Sequence, residues 1–217
     1  MARVHRTLAA RLLLALLLAA CVLVVAGCGG GKPKATAPIS YDPAPKRVCA
    51  YPAGWQKLAN EIRAGVYCPG WLPDPLTSQL GGTWNNINSV SKNRSYLESF
   101  VWQETGGGAA GGELHVNLRG YPGRTTIPDC TTGDKDNIVV KCFASPNGTV
   151  SENGIKATEY TVNQDADLWH IALVWRHNGG LYTISEHVAP PLTYNHVVRY
   201  LKIELNNLVL IEPHLQS

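Results

Sequence analysis

The chain has 217 residues, 45% hydrophobic and only 16% charged, which is the make-up of a chain that buries a core rather than of a disordered one. Its formal net charge of +3 resides in Arg3, Arg6 and Arg11, since the 19 Lys and Arg less those three equal the 16 Asp and Glu. A near-neutral chain without a basic stripe argues against nucleic acid as a partner, because that needs many phosphate contacts, and gives no strong attraction to anionic lipid.

The three arginines precede an unbroken apolar run from Leu12 to Val25 that contains no acid, and the run ends in Val25-Ala26-Gly27-Cys28. A positive leader, an apolar core and a small-residue exit make a secretory signal over residues 1–27. Gly27, Gly29, Gly30, Gly31 and Lys32 cut the run short of the roughly 20 apolar residues a membrane-spanning helix needs, so an uncleaved anchor is the poorer reading. With Val25-Ala26-Gly27-Cys28 as a lipobox, the first 30 or so residues resemble bacterial membrane lipoproteins. The resemblance implies cleavage before Cys28, a diacylglyceryl thioether on Cys28 and further acylation of the new amino-terminus. It also implies lipid anchoring to the cell membrane on the side facing outside the cytoplasm. Each buried methylene contributes about 0.8 kcal/mol and a single chain holds only marginally, so two or three chains make the attachment long-lived.

Residues 28–46 form the lipidated Cys28 and a tether, with three glycines and then Pro33, Pro38, Pro43 and Pro45 among small residues. Extended at about 3.1 Å per residue, the tether holds the folded part a few tens of ångströms from the bilayer. Residues 47–217 are one domain's worth of chain. Cys21 leaves with the signal and Cys28 is taken by lipid, so Cys49, Cys68, Cys130 and Cys142 remain. Four cysteines allow three connectivities. Cys49 to Cys68 and Cys130 to Cys142 are favoured because each pair is near in sequence, and each loop so closed contributes about 3 kcal/mol in the chain-entropy model. Zinc is the alternative, but the C-x-x-C knuckle it favours is absent.

Trp55, Leu58, Ala59 and Ile62 recur at helical spacing over 55–64, with Gly65 as a stop. Cys68-Pro-Gly-Trp-Leu-Pro-Asp-Pro75 is too rich in proline for regular structure and is expected to wrap over the core with Trp71 buried. From Tyr96 the period becomes two: Tyr96–Glu104 and Glu113–Arg119 read as strands joined by a glycine-rich tip over 106–112. That tip leads into a strand and lacks a lysine, so it is a hairpin end rather than a phosphate loop. Asn137–Phe143 and Gly154–Val162 are further strand candidates. Trp169–Arg176 and Leu181–Val188 flank Asn178-Gly179, the strongest short hairpin signal, because both central residues of a type I′ turn need positive φ. This register sets Trp175 against Tyr182 and Leu173 against Ile184, with Trp169 and Ile171 on the same core face. Glu186 falls there too, a place explicable only near a sheet edge. Thr193 then caps a helix reaching about Val209, with Val197, Val198, Leu201, Leu205 and Leu208 facing inward. The expected fold is α+β: a mostly antiparallel curved sheet packed by a short N-terminal and a longer C-terminal helix.

The same register sets His170 opposite His187 on the face away from the core, a face expected to be wet. Two imidazoles about 5 Å apart suit a metal such as zinc, and His115 supplies a third ligand if its strand is adjacent. Asn163–Asp167 has the opening of a calcium loop, but Leu168 and Val174 replace its glycine and its bidentate glutamate, which leaves a polar turn. Ser89-Val-Ser-Lys92 has S-x-x-K spacing without companion motifs, and neither G-x-S-x-G nor H-E-x-x-H occurs. The sequence therefore names no catalytic residue and no cofactor.

The carboxy-terminal half, with Trp175, Gly179-Gly180, Tyr182 and then Val197 to Leu208, is similar in pattern to uncharacterised sheet-plus-helix domains of bacterial lipoproteins. That resemblance implies an apolar concavity or a partner surface and carries over no individual residue. The expectation is a membrane-anchored extracytoplasmic lipoprotein acting as a non-catalytic binding module for a protein or envelope component. The alternatives are a carrier of lipid or another hydrophobic ligand and a hydrolase with a dispersed site.

Overall fold

The hairpin turned by Asn178-Gly179 is the centre of the molecule. In the computed structural model, which describes residues 47–80, 87–103, 113–131, 138–162 and 169–214, Asn178 and Gly179 take φ of 43° and 73°, the left-handed pair a type I′ turn requires. The strands on either side, β9 (His170–His177) and β10 (Gly180–His187), pair with Trp175 on Tyr182 and Leu173 on Ile184, the register the turn predicts. The signal and lipobox, the tether, the glycine-rich tip and the calcium-like turn at 163–167 lie outside the described residues. All described residues belong to one compact unit, Asp42–Ser217.

The described residues begin with α1 (Pro52–Ile62) and β1 (Val66–Pro69), then β2 (Ile87–Val90), β3 (Tyr96–Gln103) and β4 (Glu113–Tyr121). An excursion carries β5 (Asp129–Thr131) and β6 (Val139–Lys141), and β7 (Pro146–Glu152), β8 (Ile155–Val162), β9 and β10 complete the large sheet. Helix α2 (Tyr194–Asn206) and β11 (Leu208–Ile211) come last. The seven-stranded sheet has the order β2-β3-β4-β10-β9-β8-β7, every pairing antiparallel. Two meanders thus meet where β4 pairs with β10, so β10 is the middle strand. With one short N-terminal helix, one longer C-terminal helix and this sheet, the fold is α+β.

Both helices cover one face of the sheet. In α1, Trp55, Leu58, Ala59 and Ile62 are buried, as helical spacing predicts, and the Trp55 indole N–H donates to the Ser78 carbonyl at 2.8 Å, so the large side chain is buried without an orphan donor. The helix ends at Arg63, whose φ of 51° is left-handed and whose N–H bonds the Ala59 carbonyl, two residues before the glycine expected to stop it. Thr193 caps α2 as predicted, its side chain accepting from the His196 N–H, and Val197, Leu201 and Leu205 are fully buried. On the sheet these helices meet Phe100, Leu118, Ile171, Leu173, Trp175 and Ile184, each at most 2% exposed. Tyr96 lies across Gly120 so closely that a Cβ there would stand 2.2 Å from its ring, which is why this position carries no side chain.

The opposite face is not wet. Cys130 is bonded to Cys142, and Cys49 to Cys68, the two pairs favoured from sequence. The first of these clips β5 to β6 within the excursion between β4 and β7, and Cys142 and Phe143 pack on Val162, Ala172, Val174 and Leu181 of the sheet. The excursion fills what alternation alone presented as a solvated surface.

Other departures have local causes. Trp169 has φ of 62° and is 64% exposed, so the strand starts one residue later and Trp169 does not join the core face. Cys68 and Pro69 belong to β1 rather than to an irregular wrap, and Trp71 is only half-buried, its ring 5.7 Å from Tyr200. Helix α2 stops at Asn206, and Leu208, aligned with its apolar stripe, instead begins β11, which pairs antiparallel with β1. The stretch expected to be a strand over Asn137–Phe143 shrinks to β6, and Ser89 of the S-x-x-K match lies in β2, so no helical turn sets Lys92 beside it. Glu186 lies on the middle strand, fully buried, not near an edge.

Candidate functional site

Strand pairing brings the three sequence-predicted histidines together. His187 pairs with His170 across β10 and β9, and His115 stands on β4, the other neighbour of β10. Ring centroids are 5.0 Å apart for His170 and His187, 4.9 Å for His115 and His170, and 6.2 Å for His115 and His187. The His170 and His187 rings are stacked within 11° of parallel, so their in-plane lone pairs do not converge on one point. Among the described residues no group of three His, Cys, Asp or Glu is arranged to hold a metal ion. Ser99 and Asn117 both contact the Nε2 of His115, at 3.0 and 3.1 Å. Ser99, one of the two groups at this nitrogen, is 1% exposed. The cluster is a partly buried polar network spanning four strands, β3, β4, β10 and β9.

A second polar grouping is buried under α2. Glu186 of β10 and Glu204 of α2 are both fully buried, and among the described residues none of their four carboxyl oxygens has a hydrogen-bond partner. Burial raises Glu186 well above the usual carboxylate range, with the charge of Glu204 adding to it, and burial lifts Glu204 to about 8. Across the sheet Glu98 of β3 is likewise raised to about 8, by burial first and by the charge of Glu61 second. It lines an open cleft of about 450 Å³ between α1 and β3, together with Lys57 and Glu61.

A further cleft, of about 270 Å³, opens at the end of the sheet beside the Asn178 turn. Arg63 comes from the cap of α1, Arg94 from the turn between β2 and β3, His177, Asn178 and Tyr182 from the central hairpin, and Glu212 from the tail after β11. The Tyr182 hydroxyl, pushed up to about 12 by burial with Tyr67 and Glu212 adding, stays protonated and donates to the Gly65 carbonyl at 3.0 Å. Beneath it Tyr67 packs edge-on against Trp175, His177 and Tyr182, a rigid aromatic floor. Arg94 Nη1 donates to the Ile62 carbonyl at 3.3 Å, taking up one of the carbonyls left open at the end of α1. None of these cleft side chains apart from those of the hairpin lies in a periodic pattern, and Arg63 and Arg94 carry no sequence signal of being neighbours.

No protein-family model, curated protein or solved structure matches this chain. What the described residues define is a disulfide-bonded α+β domain with open clefts. Its two disulfides fit an extracytoplasmic location, since such bonds persist in oxidising compartments. Among the described residues no helix is long and apolar enough to cross a membrane.

Proposed function

We propose that the protein is a lipoprotein tethered outside the cytoplasm through Cys28, and that its domain is a binding module which recognises a protein or envelope component at its surface. The observation that carries this reading is the filling of both faces of the sheet: the helices occupy one and the disulfide-clipped excursion packs on the other. A carrier of acyl chains needs an enclosed apolar chamber of several hundred cubic ångströms. Among the described residues the clefts of about 270, 370 and 450 Å³ are open and each presents charged side chains. The carrier reading keeps one point in its favour, an open cleft of about 260 Å³ lined by Tyr51, Trp71, Leu72 and Leu76.

The test is photo-cross-linking in intact cells from the full-length, membrane-held protein, with the reactive residue placed in turn at Arg63, at Lys57 and at Lys156. A surface module gives one discrete cross-linked species from one face and not from the others. Equal, diffuse labelling from all three positions contradicts it.

A further inference from the structure

The cleft beside the Asn178 turn assembles side chains from separate parts of the chain, and three of its lining residues hold strained backbone. Arg63, Arg94 and Asn178 have φ of 51°, 68° and 43°, three of the five non-glycine residues in the left-handed region among those described. Each has a local cause, Arg63 closing α1, Arg94 turning β2 into β3 and Asn178 turning the central hairpin, and together these turns bring the three residues to one cleft. Two of the three are arginines. Among the described residues neither guanidinium is ion-paired, and Glu212, on the same cleft, is not paired with either. The negative end of α1 faces this region, but its Ile62 carbonyl is taken by Arg94 and its Ala59 carbonyl by the N–H groups of Arg63 and Ala64. Two cations against one carboxylate leave the cleft with a net positive charge over an aromatic floor.

We propose that this cleft is a binding site for a phosphate-type oxyanion, with Arg63 and Arg94 as its ligands and the Asn178 amide beside them. Guanidinium forks match such oxyanions bidentately and remain charged at every physiological pH. Glu212 sets the selectivity: its charge opposes a dianion, and as a hydrogen-bond acceptor it favours a phosphoryl group that keeps a proton or whose ester carries a hydroxyl. A volume of about 270 Å³ admits a small phosphomonoester or a lipid headgroup but not a nucleic acid chain. The proposal rests on the binding-module reading and deepens it by naming the surface at which the module engages its ligand.

The experiment tracks the His177 imidazole resonances of the ectodomain while inorganic phosphate, and separately glycerol phosphate, is added against chloride at matched ionic strength. Saturable shifts at His177 are expected with both phosphates and not with chloride. Arg63→Asn keeps a residue that tolerates positive φ and should weaken binding about tenfold, the scale of one charge-assisted hydrogen bond. Arg94→Lys keeps a donor for the Ile62 carbonyl and should weaken it severalfold, and Glu212→Gln should tighten it severalfold. Opposite signs from the arginine and glutamate variants are a signature that mere loss of folding does not produce. Flotation with phosphatidylcholine vesicles containing or lacking phosphatidate separates the sources: recruitment by phosphatidate marks a headgroup, and its absence, with glycerol phosphate still binding, marks a free ester. No saturable shift with either phosphate, or an affinity unchanged in Arg63→Asn, overturns the proposal. The module reading would survive that result if cross-linking still gave a single species from another face.

Discussion

Replacing Glu204 with glutamine should stabilise the protein at alkaline pH and leave it nearly unchanged at acid pH. Glu204 is fully buried under α2, and burial raises it from 4.5 to about 8. A carboxyl raised on folding keeps its proton in the folded state after the unfolded chain has lost it. Its favourable contribution is therefore complete below about pH 4.5 and is lost as pH rises to about 8. At about 1.4 kcal/mol per unit, that interval corresponds to about 4 to 5 kcal/mol, and for a domain of this size to a fall in Tm of roughly 10 °C. Glutamine has nearly the same shape and no proton to lose. Melting of wild type and Glu204→Gln by circular dichroism from pH 4.5 to 9 should give curves that agree at the acid end and diverge steadily above it. Some slope persists in the variant, because Glu98 and Glu186 are raised too. Pairing with Glu186→Gln should give less than the sum of the two gains, since each carboxyl relieves the other's charge. Parallel curves for wild type and Glu204→Gln across the whole range would refute the reasoning.

Three other outcomes are expected. Replacing Cys130 and Cys142 together with serine should lower stability by about 3 kcal/mol in a denaturant titration, because the clip that holds the excursion on the sheet is lost; an unchanged midpoint would show that Phe143 holds it alone. Gly120→Ala should cost at least 1 to 3 kcal/mol, the usual penalty of overpacking, by driving a methyl into the Tyr96 ring, whereas a neutral result would mean that the ring swings away freely. Cys28→Ser should leave unprocessed precursor in cells, and a variant still cleaved and still sedimenting with membranes would remove the lipid-anchor reading.

Local signals account for what the sequence made legible. Asn178-Gly179 fixed the central register and, through it, the facing of His170 and His187; Thr193 marked the start of α2; and short separations singled out both disulfides. The same turn chemistry sits at Asn153-Gly154, with φ of 52° and 74°, and joins β7 to β8. Strand β7 escapes notice because Val150 is its one buried residue, so it shows no alternation. The ribbon of β1 and β11 has no local signal at all. It pairs residues near 67 with residues near 210, and its second strand continues the apolar stripe of α2. Glu98, Glu186 and Glu204 occupy positions whose period says core and whose chemistry says surface, a conflict that local reasoning registers without resolving. The arginine cleft is invisible along the chain for a different reason: its walls come from segments near 63, 94, 178 and 212 that only tertiary packing brings together.

The most direct test of the surface-binding account is native mass spectrometry of the ectodomain from Ala35 onward, made in an oxidising compartment and kept non-denaturing throughout. The account predicts the bare polypeptide mass less four hydrogens for the two disulfides, with no lipid retained. A lipid-sized excess that disappears on denaturation and is retained equally by Arg63→Asn would contradict it and make the protein a carrier.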